Sequence, residues 1–193
     1  MTHDLVVVGA SWGGLQALRS VVGRLPAELG AAVVVVQHRA AQSSTATYID
    51  VVREVSALPV VEAADKQPLA QNCVHIAPPD FHTLVEDDHL ALSVEAPKEF
   101  SRPSIDVLFE SAAEARRERC VGVVLTGANA DGAAGLARIS ELGGAAIVQD
   151  PESAERTEMP RAALTAVPGA IVAPLDEIGE ILARLCAAAE VNV

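Results

Sequence analysis

Aromatic residues make up only 3% of this 193-residue sequence, and no apolar run approaches the ~20 residues that a membrane span requires. Direct membrane insertion is therefore not expected. The N-terminus has no basic stretch leading into a long apolar segment, so no secretory signal is expected either. Three cysteines, Cys73, Cys120 and Cys186, are too few and too scattered for a metal-ligand cluster or a disulfide framework. Reduced thiols and a cytoplasmic setting are the expectation. Basic residues are scarce: 14 against 26 acidic ones give a formal net charge of −12. The pair Arg116-Arg117 runs straight into Glu118 and no basic patch forms elsewhere, which argues against a nucleic-acid partner.

What is present is a chain that is half hydrophobic, long enough to bury one sizeable core. No internal repeat, linker or low-complexity stretch divides it, so one domain over residues 1–193 is expected. Valine-rich runs at 5–8 and 31–36, with 120–125, lack the polar alternation of a half-exposed strand and read as strands buried on both faces. Shorter strands are expected at 59–61, 72–77, 145–148 and 170–172. Amphipathic helices fall between them: 14–22, from Ser43 or Ser44 to about 56, 103–118, a helix after Gly132 closed by Gly143-Gly144, 159–166, and 174 to about 188. Pro103 suits the first turn of its helix. Segments 82–86 and 89–93 around Asp87-Asp88 read as a β-hairpin. The alternation predicts an α/β fold: a doubly wound, mostly parallel sheet sandwiched by helices, with a β-hairpin insertion.

The first buried strand ends in Gly9-Ala10-Ser11-Trp12-Gly13, which fits Gly-x-Ser-x-Gly, a turn that presents a serine between a strand and a helix. Glycines suit this turn because a Cβ there would collide with neighbouring backbone. A phosphate-holding turn is the other reading of such a segment. Against it, the P-loop lysine and Gly-x-Gly-x-x-Gly are both missing, and the second strand ends in Gln37-His38 where a ribose-binding acid would stand. No cofactor is expected.

Three strands end in polar residues, Ser11, His38 and Asp131, at the sheet edge where open parallel sheets bind ligands. Serine, histidine and aspartate meeting there have the composition of a hydrolytic triad. Each also has a plainer reading: a small turn residue, a loop histidine, an N-cap for the helix after Gly132. Trp12 reads either as a core packing residue or as a pocket wall. His75, His82 and His89 are irregularly spaced and read as structural or exposed, with no metal site.

Six ordered segments resemble the chemotaxis protein-glutamate methylesterases of the CheB type: Gly9 to Gly14, Gln37-His38, His75 to His82, Arg102 to Phe109, Leu125 to Gly135, and Gln149-Asp150 with Met159-Pro160. The resemblance implies hydrolysis of glutamate methyl esters, with deamidation of certain glutamines, on the cytoplasmic signalling helices of chemoreceptors. By position it assigns Ser11, His38 and Asp131 as nucleophile, base and orienting acid. Backbone groups of Trp12 and Ala128 are the expected oxyanion-hole candidates. Relatives often carry threonine where this chain has Trp12, and methionine and glycine in place of Ala128 and Asn129. Many also carry an N-terminal receiver domain. This sequence starts at the catalytic strand, from which a constitutively accessible site, or control by a separate protein, is expected. A non-catalytic signalling module of the same fold, and a hydrolase of another carboxylic ester, are the other readings.

Overall fold

The computed structural model describes residues 2–98 and 100–187. The valine-rich segments form the centre of a seven-stranded parallel sheet. In chain order its elements are β1 (Leu5–Ala10), α1 (Gly14–Val22), β2 (Ala32–Gln37), α2 (Thr45–Arg53), β3 (Val60–Glu62), then β5 (Val74–Ile76) after the short β4 (Gln67–Pro68). The hairpin strands are β6 (His82–Val85) and β7 (His89–Ser93). There follow α3 (Ile105–Arg116), β8 (Cys120–Val124), α4 (Ala133–Glu141), β9 (Ala145–Gln149), α5 (Glu158–Ala166), β10 (Ile171–Ala173) and α6 (Leu175–Cys186).

The sheet order is β10-β9-β8-β1-β2-β5-β3. β1 pairs in parallel with β2 on one side and β8 on the other, so the chain winds outward in both directions from the first strand. The crevice of such a fold opens where the order reverses, beyond the carboxyl ends of these three strands. Alternate residues of β1 feed two cores. Val6, Val8 and Ala10 face α1, α2 and α6, while Leu5 and Val7 face α3, α4 and α5. Burial on both faces is why the central strands show no polar alternation.

The expected hairpin is present and antiparallel, and gains a third strand: β4 pairs with β7. Gln67-Pro68 is too short and too polar to announce itself as a strand. The hairpin sits on α3, where Val85 N–H donates to Ser111 Oγ at 3.0 Å. His89 lies between Glu86 and Asp88; its hydrogen bond to Asp88 raises its pKa and favours the imidazolium.

Helix ends follow local chemistry. Ser44 caps α2, its hydroxyl accepting from Thr47 N–H at 3.2 Å. After α4, Gly143 adopts φ +87°, and the amides of Gly143 and Gly144 return to the carbonyls of Ser140 and Ile139, the closure expected of that glycine pair. The third helix starts two residues later than expected: Ser104 is its N-cap, so Pro103 precedes the helix instead of opening it. A serine side chain can accept from the helix's free amides, which proline cannot. The last helix ends at Cys186; the expected end near Ala188 lies outside the described residues.

Gly9 is tight for a reason other than the one the turn suggests. A Cβ there would lie 2.3 Å from Cγ2 of Ile105, and the next two nearest atoms belong to the same side chain of α3. The first residue of α3 is thereby seated directly on the end of β1. We expect Gly9→Ala to overpack this contact by about 1–3 kcal/mol. For a chain of this size the melting temperature should fall by roughly 3–10 °C, read by calorimetry.

Candidate active site

The crevice holds Ser11 after β1, His38 after β2 and Asp131 after β8, three adjacent strands. The serine turn is fixed from three sides. Gly13 takes φ +77°, which lets the chain reverse into α1. Ser11 N–H donates to the carbonyl of Thr126 at 2.9 Å. The Ser11 carbonyl accepts from Gly14 N–H at 3.0 Å and from the buried Gln37 amide at 2.7 Å. Tyr48 in turn donates its hydroxyl to Gln37 Oε1 at 3.0 Å. With its backbone occupied, Ser11 presents its hydroxyl to His38, whose Nδ1 lies 3.3 Å away.

His38 Nε2 meets Asp131 Oδ2 at 2.8 Å. The imidazole therefore faces the serine with Nδ1 and the acid with Nε2. Asn129 Nδ2 also approaches Nδ1, at 3.5 Å. Asp131 is fully buried. Its Oδ1 accepts from Ser104 Oγ and Asp106 N–H, both at 2.9 Å, and its Oδ2 accepts from Ile105 N–H at 2.7 Å. Burial works to raise its pKa, but the His38 and backbone hydrogen bonds outweigh it, so the carboxyl is held below the ordinary value.

Asp131 does not cap the helix that follows it, as one reading of the sequence had it: Gly132 is the N-cap of α4, without a side-chain cap. The carboxylate instead receives the start of α3. The favour is returned, because Asp106 Oδ1 accepts from the amides of Gly132 and Gly135 at 2.9 and 2.7 Å, at the start of α4. Each helix thus places a carboxylate from the other's neighbourhood on its positive end. Burial raises the Asp106 pKa, with the charge of Asp131 adding to it and the Gly135 amide opposing it.

Sequence reasoning missed this exchange; His82, read as structural or exposed, is structural and belongs to it. That buried residue accepts Ser104 N–H on Nδ1 at 3.1 Å, and its Nε2 faces the Ala96 carbonyl at 3.2 Å. It steadies the cap residue that holds Asp131. The signal lay in the segments His75 to His82 and Arg102 to Phe109, which carried resemblance but no assigned role. His75 is buried on β5, where burial lowers its pKa.

Trp12 is not a core residue: it is 58% exposed. Its Nε1 donates to Glu155 at 2.8 Å and the Arg156 guanidinium lies 5.3 Å from the ring centroid. The indole is thereby pinned on the surface beside Ser11. Among the described residues neither Trp12 N–H nor Ala128 N–H donates a hydrogen bond to the protein. The turn carrying Ala128 touches the serine: a Cβ on Gly127 would lie 3.0 Å from that of Ser11. The cysteines are buried and free, and burial raises their pKa values, that of Cys186 to about 11, so none offers a thiolate as nucleophile. No helix among the described residues is long and apolar enough to cross a membrane.

Residues 6–182 match the family model described as CheB methylesterase. A relative from Leptospira interrogans, named a putative protein-glutamate methylesterase/protein-glutamine glutaminase, is 40% identical over 186 residues, covering 96% of both chains. A protein-glutamate methylesterase/protein-glutamine glutaminase of Symbiobacterium thermophilum is 37% identical over 185 residues; the match takes in 95% of this chain and 51% of that longer protein. Among solved structures, the catalytic domain of the Thermotoga maritima CheB methylesterase superposes with a TM-score of 0.91 at 30% identity, over 96% of this chain and 100% of that one. With a family match running from the first strand into the last helix, the chain belongs to the CheB methylesterase family.

Proposed function

We propose that this chain hydrolyses methyl esters of glutamate side chains in a protein substrate, and the corresponding amides of glutamine, with the whole chain acting as one catalytic unit. The observation that carries the reading is the contact series Ser11–His38–Asp131 at the crevice of a methylesterase-family fold. Ser11 Oγ attacks the ester carbonyl as His38 Nδ1 takes its proton. The tetrahedral intermediate collapses as that proton passes to the leaving methoxide, releasing methanol and leaving a glutamyl ester on Ser11. Water then attacks the acyl-enzyme with His38 again accepting a proton. Return of that proton to Ser11 frees the serine and the glutamate carboxylic acid. Asp131 fixes the ring and stabilises its charged form in both steps. Ser11's own amide is engaged by Thr126, which leaves the N–H groups of Trp12 and Ala128 to meet the oxyanion. One such donor typically contributes about 10²–10³ in rate.

The substrate we infer from the family is the methylated cytoplasmic helical region of a chemoreceptor, and a cytoplasmic site of action in chemotactic signalling goes with that reading. The experiment is methanol release from a methylated receptor signalling fragment, before and after reaction with phenylmethanesulfonyl fluoride. We expect release to be abolished together with a single sulfonyl adduct on the peptide containing Ser11. Release that survives full labelling of Ser11, or no release at all from the untreated, folded protein, would remove the reading.

A further inference from the structure

Beside His38 stands a cation that the hydrolytic steps leave unused. Arg39 is half-buried, its guanidinium 4.5 Å from the centroid of the Tyr48 ring. Its Nη2 donates to the Ala77 carbonyl at 2.8 Å. Nε and Nη1 are both buried, and among the described residues neither has a hydrogen-bond partner. Glu62 acts on this charge only through the longer-range field, and among the described residues Arg39 forms no ion pair.

A cavity of about 150 Å³ opens next to it, lined by His38, Arg39, Phe100, Ser101, Arg102 and Pro103. The second guanidinium on its wall is fully engaged. Arg102 Nε and Nη2 bind Asp80, and Nη1 binds the carbonyls of Val94 and Glu95, so Arg102 braces the loop. Arg39 is therefore the cation with donors to spare. A buried charge with unused N–H groups is unfavourable until an anion meets it. The cavity has room for a side-chain carboxylate. Guanidinium and carboxylate match in plane and charge.

We propose that this cavity is a carboxylate subsite. When an ester lies at Ser11 and His38, an Asp or Glu side chain of the same substrate protein, close to the ester, enters the cavity, and the Arg39 side chain turns to bring its buried, unused N–H groups onto it. This rests on the esterase reading above. It also answers a difficulty that reading raises: a chain of net charge −12 repels acidic partners at long range, so a local cation beside the base is where an acidic segment is accepted. The product glutamate carries the same chemistry and is the other source of a carboxylate.

Two helical peptides with one glutamate methyl ester decide between them. One has Glu on the same face one turn away, the other Gln. We expect the wild type to show a KM about tenfold lower for the Glu peptide at low salt, a ratio that shrinks as salt rises. In Arg39→Gln the ratio should fall to about 1, and Arg39→Lys should keep part of it. Equal KM values in the wild type, or an unchanged ratio in Arg39→Gln, would overturn the proposal. So would competitive inhibition by N-acetylglutamate that Arg39→Gln removes while the wild-type peptide ratio is 1, because the subsite would then belong to the product. A second measurement is independent of turnover: acetate titrated into ¹⁵N-labelled protein. Saturable shifts of the Ser101 and Arg102 amides that Arg39→Gln abolishes support the subsite; no shift in the wild type, or equal shifts in the folded variant, refute it. If neither peptide is hydrolysed, the esterase reading fails on its own, and the titration still decides the pocket.

Discussion

Replacing Ser11 by alanine will lower methanol release from a methylated receptor fragment by about 10⁵–10⁶ and leave the fold intact. The first half follows from covalent catalysis. Without Oγ there is no acyl-enzyme, and only binding and the oxyanion donors remain to speed attack by water. The second half follows from where the turn finds its support. The hydrogen bonds that hold Ser11 run from its backbone to Thr126, Gly14 and Gln37, and alanine keeps all of them. The hydroxyl itself contributes one long contact of 3.3 Å to His38. A change in stability of no more than about 1 kcal/mol is expected, which moves the melting temperature by about 2–4 °C. Full activity in the variant would mean that another group is the nucleophile. A cooperative melt lost altogether would mean that the hydroxyl is a structural element.

Asp131→Asn should do damage of two kinds. Asparagine has one acceptor oxygen where the carboxylate has two, and Asp131 receives four donors. The better orientation keeps oxygen at Oδ2, facing His38 and Ile105 N–H. Its NH₂ group then faces Ser104, whose hydroxyl can turn to accept, and Asp106 N–H, which cannot. One buried amide left without a partner costs about 1–3 kcal/mol, or roughly 3–10 °C in melting temperature. The ring of His38 stays anchored, but its charged form loses the negative charge beside it, and turnover should fall about 10³–10⁴. The pH dependence has a definite sign. The native carboxyl is held below its ordinary pKa, so its contribution to stability is complete above about pH 4 and is lost as pH falls through the native value. The gap between wild type and variant should therefore be level from neutral pH to about 5 and close below about 4, measured by denaturant titration at each pH. A gap that widens in acid would contradict the assignment.

These residues show what a single sequence reveals and what it hides. A strand buried on both faces leaves an unbroken apolar run, and a turn of small residues must follow it. The doubly wound sheet and the crevice could be read from that alone. Ser11, His38 and Asp131 stood out because each ends such a run with a polar group. The partners of Asp131 did not stand out. Asp106 has the look of an ordinary acid in the first turn of a helix, and Ser104 that of an ordinary cap, because the groups they meet lie some 25 residues away on another loop. No local pattern records that pairing. The same holds for Gly9, whose constraint is the side chain of Ile105. Trp12 stayed open between core and pocket wall, because what holds the sole tryptophan outside the core is an acid and an arginine on the segment after β9.

The exchange of carboxylates between the starts of α3 and α4 also bears on how the site comes into being. The amides of Ile105 and Asp106 at the start of α3, and those of Gly132 and Gly135 at the start of α4, meet their acceptors only across this pairing, and the carboxylate that faces His38 is one of the two that supply them. Assembly of the crevice and docking of the two helices are therefore expected to be coupled. A chain with α3 and α4 packed already holds its acid in position.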